Sequence, residues 1–384
     1  MNDSSPLCDA HASGLLSIDL DAVRSNFRLL CETAGSADVA AVVKANAYGL
    51  DAARIAPILF NEGCRAFFVA QLAEARELKT HLPAAAEIYI LNGLPPGSEQ
   101  EAAASGVIPV LNSLEQIAAW AVTGMHRDRR LPAVVQVDTG MSRLGLTQQE
   151  VDYLLLEPEL LERIRPVLLM SHLACADEPN NPSNNEQLSC FRRLAARLPI
   201  AKRSIANSGG TFLGPAFQCD LVRSGIAIYG AAPMIGVANP MRPTVRLDTR
   251  VIQIRDVPRG TGVGYGLTIR TAEPARLATL GVGYADGWPR SLSGCGAVYV
   301  HGVRAPIVGR VSMDSMVVDV TAVPRGRLRV GDFVELLGKH QTLDDVARDA
   351  GTIAYEILTG LGQRFERVYL DKSATQSSQF RIST

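Results

Sequence analysis

A lysine that directly follows a short apolar run is the first candidate for chemistry in this sequence. Lys44 comes after Val42 and Val43. At the end of a buried strand the lysine amine is desolvated, which lowers its pKa and lets it attack an aldehyde to form a Schiff base. Position alone leaves a second interpretation open, a lysine whose ammonium group emerges into solvent.

Two glycine-containing segments further along the chain could bind an anion. Asn207 and Ser208 precede a pair of glycines, and Arg223 is followed closely by Gly225 and Ile226. Backbone N–H groups near glycine can approach an anion closely, although glycine-rich turns are weak evidence by themselves. Together with Lys44, the two segments indicate a phosphorylated aldehyde held at both of its ends.

The elements that must position these residues alternate between short apolar runs and helix-like stretches. Candidate strands cover residues 40–44, 66–70, 88–91, 108–111, 133–138, 166–172, 203–206 and 221–223. Such repeats predict an α/β fold with an N-terminal (β/α)8 TIM-type barrel, whose chemistry lies at the C-terminal ends of its strands. The anion-binding segments then follow strands seven and eight, the usual phosphate position of this barrel.

The pattern changes after about Pro243 to alternating apolar and polar residues, which is typical of strands. Strand-like runs continue to about residue 336, and a helical stretch follows at 343–361. We therefore predict a polar N-terminal tail at 1–13, a barrel domain at 14–243 and a mostly β C-terminal domain at 244–384.

Composition excludes several classes of protein. The formal charge of the 384 residues is −1 and no long basic run occurs, so nucleic-acid binding is not expected. The first residues lack the features of a secretory signal, and no apolar run is long enough to span a membrane, which predicts a cytoplasmic protein without membrane contact. The seven cysteines have no zinc-binding or disulfide spacing, so no metal site is predicted.

Six ordered motifs carry a resemblance that runs from about Leu15 to about Val368. They cover residues 42–49, 137–145, 171–174, 223–226, 283–287 and 309–314. In these motifs the chain resembles the alanine racemases, which are fold-type III enzymes dependent on pyridoxal 5'-phosphate (PLP). The resemblance implies a barrel domain that binds PLP, a small amino-acid substrate and a homodimer with shared active sites.

The resemblance also implies roles for the barrel residues. Lys44 would hold PLP covalently, and Arg223, oriented by His172, would face the pyridine nitrogen. An arginine keeps its proton, so this nitrogen would stay unprotonated, the electron sink would be weakened and side reactions would be suppressed. The remaining cofactor-binding residues would be Tyr48, Asn207, Ser208, Gly225, Ile226 and Tyr355.

Racemisation needs acid/base groups on both faces of Cα. The resemblance places the second one at Tyr265, contributed by the partner subunit. Arg143 and the backbone N–H of Met313 would bind the substrate carboxylate. The access corridor would be lined by Asp177, Tyr284, Arg290, Arg310 and Ile353.

One position departs from the family pattern. Many members carry a carbamylated lysine seven positions before the arginine that corresponds to Arg143, and this chain has Gln136 there. A neutral amide cannot supply the charge of a carbamate. We expect no carbamylated lysine here, and Arg143 would be positioned by a hydrogen bond to Gln136 or by a bound anion such as chloride.

The leading hypothesis is interconversion of L- and D-alanine, for peptidoglycan or for alanine catabolism. An amino-acid racemase of broader scope on the same scaffold is the nearest alternative, and pocket size would separate the two. Decarboxylases of basic amino acids pair the pyridine nitrogen with an acidic residue, which Arg223 argues against. A PLP carrier resembles the barrel alone and needs no residue such as Tyr265.

Overall fold

The computed structural model describes residues 12–372, so most of the polar tail predicted at 1–13 lies outside the described residues. The chain is divided into two compact units, a barrel unit and a β unit. The barrel unit takes residues 24–228 and 232–241, and the β unit takes the described residues before 24, residues 229–231 and the chain from 242 onward. The first strand, β1 (Gly14–Asp19), belongs to the β unit.

The barrel unit contains eight parallel strands arranged in one nearly closed sheet. The ladder runs from β8 through β2 to β9, and hydrogen bonds from Asp220 N to Arg203 O (3.1 Å) and from Arg223 N to Ala206 O (3.0 Å) link its two ends. The predicted barrel is therefore confirmed. The strands are β2 (Asp38–Val42), β3 (Ala66–Val69), β4 (Glu87–Ile90), β5 (Ile108–Leu111), β6 (Pro132–Gln136), β7 (Arg165–Met170), β8 (Arg203–Ser204) and β9 (Leu221–Ser224).

Helices connect these strands, and several begin at residues whose side chains accept hydrogen bonds from free backbone N–H groups. Ser113 caps one of them through Gln116 N, and Thr147 forms a capping box with Glu150. The helices are α1 (Leu20–Ala34), α3 (Ala52–Asn61), α4 (Leu72–Lys79), α5 (Glu99–Ser105), α6 (Leu114–Met125), α7 (Gln148–Leu156), α8 (Pro158–Glu162), α9 (Ser183–Ala195), α10 (Ser208–Phe212) and α11 (Pro215–Gln218). The label α2 (Lys44–Tyr48) denotes a single turn whose φ values are positive from Ala45 onward.

The β unit is built around one long strand, β10 (Val245–Val257), which pairs antiparallel with β1 and with two later strands, β13 (Ala275–Leu280) and β17 (Phe333–Leu337). The predicted mostly β C-terminal domain is confirmed. Its strands are β10 (Val245–Val257), β11 (Gly262–Val263), β12 (Ile269–Arg270), β13 (Ala275–Leu280), β14 (Ala297–Val300), β15 (Val303–Pro306), β16 (Met316–Asp319), β17 (Phe333–Leu337) and β18 (Glu366–Leu370). Helices α12 (Leu343–Ala350) and α13 (Ala354–Gly360) precede β18.

Strand β1 shows why the unit division differs from the sequence-based bounds, which begin the barrel domain at Gly14. It pairs antiparallel with β10 and parallel with β18. Its burial alternates residue by residue, whereas strands such as β3 and β5 are buried along their whole length. Alternating burial is typical of a sheet with one covered face, and full burial is typical of a barrel strand that is surrounded by helices.

Within residues 12–372, none of the helices combines the length and the apolar character that crossing a membrane requires.

Candidate active site

The chain turns in an unusual way directly after Lys44, at the C-terminal end of β2. Ala45, Asn46, Ala47 and Tyr48 all have φ between 52° and 57°, and Gly49 follows at 84°. A left-handed turn of four non-glycine residues costs about 1–2 kcal/mol per residue. Backbone strain of this kind persists where surrounding contacts maintain it, which is typical of functional sites.

The environment of Lys44 favours a neutral amine. Burial is the main cause that lowers the pKa of Lys44, the positive charge of Arg143 lowers it further, and the negative charge of Glu74 opposes both. A neutral amine is the form that attacks a carbonyl carbon or accepts a proton. Lys44 therefore has the electrostatic setting of a nucleophile or base.

A polar cradle lies where β8 and β9 end. The Ser208 hydroxyl accepts hydrogen bonds from Gly225 N (2.9 Å) and Ala227 N (3.4 Å). No described residue accepts a hydrogen bond from the N–H of Ile226, although this residue is buried. A buried N–H without a partner can bind an anionic group.

Two further contacts shape this cradle. A Cβ atom at Gly225 would lie 2.3 Å from the Tyr48 hydroxyl, so only glycine lets the tyrosine approach the backbone here. Asn207 caps α10 by accepting a hydrogen bond from Gly210 N at 3.0 Å. The predicted residues Tyr48, Asn207, Ser208, Gly225 and Ile226 thus lie in two neighbouring loops and the turn that faces Gly225.

Arg223 is a buried cation held by neutral acceptors. Its guanidinium donates hydrogen bonds to the Ser204 hydroxyl, to Ser171 O (2.6 Å) and to His172 Nδ1 (3.3 Å). None of these acceptors is a carboxylate. Burial lowers the pKa of Arg223 to about 9, so the group remains protonated at neutral pH. The charge is therefore available to a ligand atom.

His172 is held in its neutral form. Burial and the cations Arg223, Arg143 and Lys44 lower the pKa of His172 to about 3. Because a guanidinium can only donate, Nδ1 of His172 is the acceptor and its proton lies on Nε2. The imidazole can thus orient Arg223 without adding a second charge.

A second layer of polar residues supports His172 and Arg223, and the sequence analysis did not identify it. The Gln187 side chain on α9 donates to His172 O and accepts from Ala174 N, both at 2.9 Å. The hydroxyls of Thr139 and Ser171 lie 2.7 Å apart. The signal in the sequence is a glutamine, Gln187, on the apolar face of an amphipathic helix, because a polar side chain that is buried there needs hydrogen-bond partners.

The loop that carries Arg143 is fixed at both of its ends. Asp138 Oδ1 accepts hydrogen bonds from the N–H groups of residues 140, 141 and 142. Gln136 Nε2 donates to Leu144 O at 3.2 Å. Of the two predicted ways to position Arg143, a direct hydrogen bond to Gln136 is absent from the described residues, where the amide donates to the neighbouring backbone carbonyl. A bound anion stays a prediction. The Arg143 side chain is exposed.

The other predicted residues lie in the β unit, except Asp177, which lies in the barrel unit. Tyr265 begins a single 3₁₀ turn between β11 and β12, flanked by Gly264 and Gly266 with φ of 68° and 75°. Its side chain is 73% exposed. Four further predicted residues of this unit also have exposed side chains, namely Tyr284, Met313, Ile353 and Tyr355.

Arg310 and Arg290 complete the predicted set. A Cβ atom at Gly266 would lie 3.4 Å from Arg310 Nη1, so this guanidinium lies beside the Tyr265 turn. Arg290 begins another 3₁₀ turn of the β unit. These residues belong to one unit and Lys44 to the other.

Comparison with known proteins gives consistent matches along the chain. Residues 18–233 match the model of the alanine racemase N-terminal domain, and residues 244–369 match that of the C-terminal domain. A catabolic alanine racemase of Agrobacterium fabrum is 52% identical over 359 residues, 94% of this chain and 92% of that protein. An alanine racemase of Brucella canis is 50% identical over 375 residues, 94% of this chain and 95% of that protein.

Solved structures agree with these matches. The alanine racemase of Bartonella henselae with covalently bound pyridoxal phosphate has a TM-score of 0.91 and 46% identity, covering 94% of this chain and all of that chain. The biosynthetic alanine racemase of Pseudomonas aeruginosa has a TM-score of 0.88 and 36% identity, covering 94% of this chain and all of that chain.

Proposed function

Because the chain belongs to the alanine racemase family of PLP-dependent isomerases, we propose that it interconverts L- and D-alanine by a two-base mechanism. Lys44 is the acid/base group on one face of Cα, and Tyr265 of the partner subunit is the group on the other. The observation that carries this proposal is that one unit contains both a lysine whose pKa is lowered, mainly by burial, and Arg223, a buried cation whose hydrogen-bond acceptors are all uncharged.

The residues at the end of the barrel fit PLP in kind and position. Bound PLP supplies the electron sink that makes the Cα proton of an amino acid acidic. Lys44 offers the amine for the aldehyde, and Ser208 with the N–H of Ile226 offers donors for the phosphate. Tyr48, Asn207, Gly225 and Tyr355 complete the proposed cofactor-binding set.

Arg223 explains why racemisation is the favoured outcome. A protonated guanidinium can donate a hydrogen bond to the pyridine nitrogen but does not transfer its proton. Neutral His172 keeps Arg223 in place and offers no proton either, because its pKa is about 3. A weakened electron sink would favour return of the proton to Cα over cleavage of the bonds to the carboxylate or the amine.

Tyr265 needs a cationic neighbourhood to act as a base. A phenol is a weak base at neutral pH unless nearby positive charge stabilises its phenolate form. Arg310 lies beside the Tyr265 turn in its own unit, and Arg143 would approach it from the other subunit. Arg143 and the N–H of Met313 hold the substrate carboxylate, and the corridor consists of Asp177, Tyr284, Arg290, Arg310 and Ile353.

The exposure of the β-unit residues supports a homodimer. Tyr265, Met313 and Ile353 are each more than half exposed in the single chain. Large apolar side chains exposed at a proposed site are typical of an interface. We propose that two subunits exchange these residues, so that each active site uses Lys44 from one chain and Tyr265 from the other.

Mixing two impaired variants tests the shared site. When Lys44→Ala and Tyr265→Phe proteins are unfolded together and refolded, we expect racemase activity to reappear, because a hybrid dimer rebuilds one site with both groups intact. Each variant refolded alone is the control and should show no more than its own residual activity. If both groups came from the same chain, every site in the hybrid would lack one of them, so continued inactivity would reject the shared site.

An exchange experiment tests the reaction itself. The wild-type protein incubated with single enantiomers of alanine in D2O is expected to incorporate deuterium at Cα and to produce the mirror-image amino acid, without loss of amine or CO2. Serine and lysine serve as comparison substrates for the broader-scope alternative. Release of CO2 would favour a decarboxylase, and absence of exchange would favour a carrier.

The proposed cellular role is supply of D-alanine for peptidoglycan or alanine catabolism, in the cytoplasm. Relatives carry both kinds of name, catabolic in Agrobacterium fabrum and biosynthetic in Pseudomonas aeruginosa.

A further inference from the structure

The carboxylate of Glu74 joins the ends of two neighbouring barrel strands. Its Oε2 atom accepts hydrogen bonds from Ala70 N (2.8 Å) and Gln71 N (3.0 Å), which follow β3. Its Oε1 atom accepts a hydrogen bond from Ala45 N at 2.6 Å, directly after Lys44. The contact with Gln71 is an ordinary capping box of α4. The contact with Ala45 has no such explanation, since that residue lies 29 positions away in the sequence.

The Ala45 amide occupies a special place in the left-handed turn. Later amides of the turn use backbone acceptors: Ala47 N donates to Val43 O (2.9 Å) and Gly49 N donates to Ala45 O (2.8 Å). Ala45 is the first residue of the turn with positive φ, and the acceptor that the structure gives its N–H is Glu74. Glu74 therefore holds the chain where it leaves the strand, one residue after Lys44.

The same carboxylate acts on the amine electrostatically. The negative charge of Glu74 favours the protonated form of Lys44, whereas burial and Arg143 favour the neutral form. Glu77, one helical turn further along α4, is exposed and does not contribute to the shift. The Glu74 side chain thus has two effects: it accepts a hydrogen bond from the backbone beside Lys44, and its negative charge acts on the Lys44 amine.

We propose that Glu74 is a positioning residue for Lys44, holding the left-handed turn through the Ala45 amide and keeping a negative charge beside the amine. The inference rests on the proposed role of Lys44 as nucleophile and base. It assigns to Glu74 no contact with substrate or cofactor. Its two parts, the geometric and the electrostatic, can be separated by substitution.

The electrostatic part is tested in the full-length protein freed of PLP. The rate at which an amine-specific acylating reagent modifies Lys44 is measured against pH by mass spectrometry of the peptide. Glu74→Gln keeps an oxygen acceptor and removes the charge, so the profile should move to lower pH and modification at neutral pH should become several-fold faster. Glu77→Gln, a charge removal of the same kind on the same helix, should match the wild type.

The geometric part is tested by hydrogen exchange of a peptide that begins several residues before Lys44 and extends to residue 50, so that it includes the Ala45 amide. Glu74→Ala removes the acceptor, so exchange in this peptide should become faster, whereas Glu74→Gln and Glu77→Ala should retain slower exchange. Circular dichroism checks the fold, and if Glu74→Ala fails to fold, Glu74→Met, which removes the acceptor and keeps the length of the side chain, is compared with Glu74→Gln. An unchanged labelling profile in Glu74→Gln, or unchanged exchange on loss of the acceptor, would overturn the proposal.

These measurements do not depend on bound PLP. Failure of the proposed function would appear as covalent PLP in a Lys44→Ala protein, and failure of the role of Glu74 would appear in the labelling and exchange data. The two outcomes can therefore be told apart. A matching readout in the holoenzyme is the pH at which its visible absorption band changes, which should fall in Glu74→Gln and stay constant in Glu77→Gln.

Discussion

Replacing Lys44 by alanine is expected to reduce racemisation by at least about 10³-fold, because one side chain supplies both the covalent link and one of the two acid/base groups. Burial and the neighbouring cation Arg143 lower the pKa of Lys44, which increases the fraction of the neutral, nucleophilic amine. Activity is measured by following D-alanine formed from L-alanine. The covalent link is measured by borohydride reduction followed by mass spectrometry.

Lys202 provides the matched control for this substitution. It precedes β8 and lines a cavity together with Asp38 and Asp220, at the N-terminal ends of the strands, whereas Lys44 follows a C-terminal end. Lys202→Ala should keep the covalent link and the activity. Adding a small primary amine should restore part of the activity to Lys44→Ala, since the amine can replace the missing base. Covalently bound PLP in Lys44→Ala would refute the assignment of Lys44.

Replacing Tyr265 by phenylalanine is expected to lower racemisation by about 10²–10⁴-fold, the usual contribution of one general acid/base group. The side chain is 73% exposed in the single chain, so loss of its hydroxyl should leave the stability of the subunit unchanged. Because L- and D-alanine have equal free energies, conversion in both directions must fall by the same factor.

Isotope exchange separates a catalytic role of Tyr265 from a structural one. In D2O the Tyr265→Phe protein should still exchange the Cα proton of the enantiomer whose proton faces Lys44, without inversion. The other enantiomer should lose exchange. Tyr299→Phe, a change of the same kind in the β unit, should retain full activity because Tyr299 stacks on His340 through its ring. Equal exchange of both enantiomers by Tyr265→Phe would reject the two-base mechanism.

Local sequence patterns determined the positions of the barrel strands. The predicted runs 66–70 and 108–111 correspond to β3 (Ala66–Val69) and β5 (Ile108–Leu111), both buried along their whole length. A strand surrounded by helices requires a continuous apolar run, which is visible in a single sequence. The residues at strand ends, such as Lys44 and Arg223, could be chosen for the same reason, since a barrel places its chemistry there.

The six sequence motifs assigned roles to residues whose function the hydrophobic periodicity of the sequence does not predict. Tyr265 lies in an exposed glycine-rich turn, and Met313 is proposed to act through its backbone, so neither residue type identifies a role. Their assignment depended on resemblance. The matches of both domain models and the curated relatives confirm the family, and the roles of the two residues stay predictions.

Only the tertiary structure decided how the site is held. The Gln187 hydrogen bonds, the contact between Glu74 and Ala45 and the pairing of β1 with β10 join separate segments of the sequence, and the positive φ values at 45–48 appear only in the folded chain. Sequence patterns report local preferences, and Ala45 or Tyr48 gives no local sign of a positive φ. The sequence by itself thus determined the strands and the residue types at their ends. Contacts between separate segments set the backbone conformation after Lys44, and burial with the neighbouring charges of Arg143 and Glu74 sets the electrostatic environment of its amine.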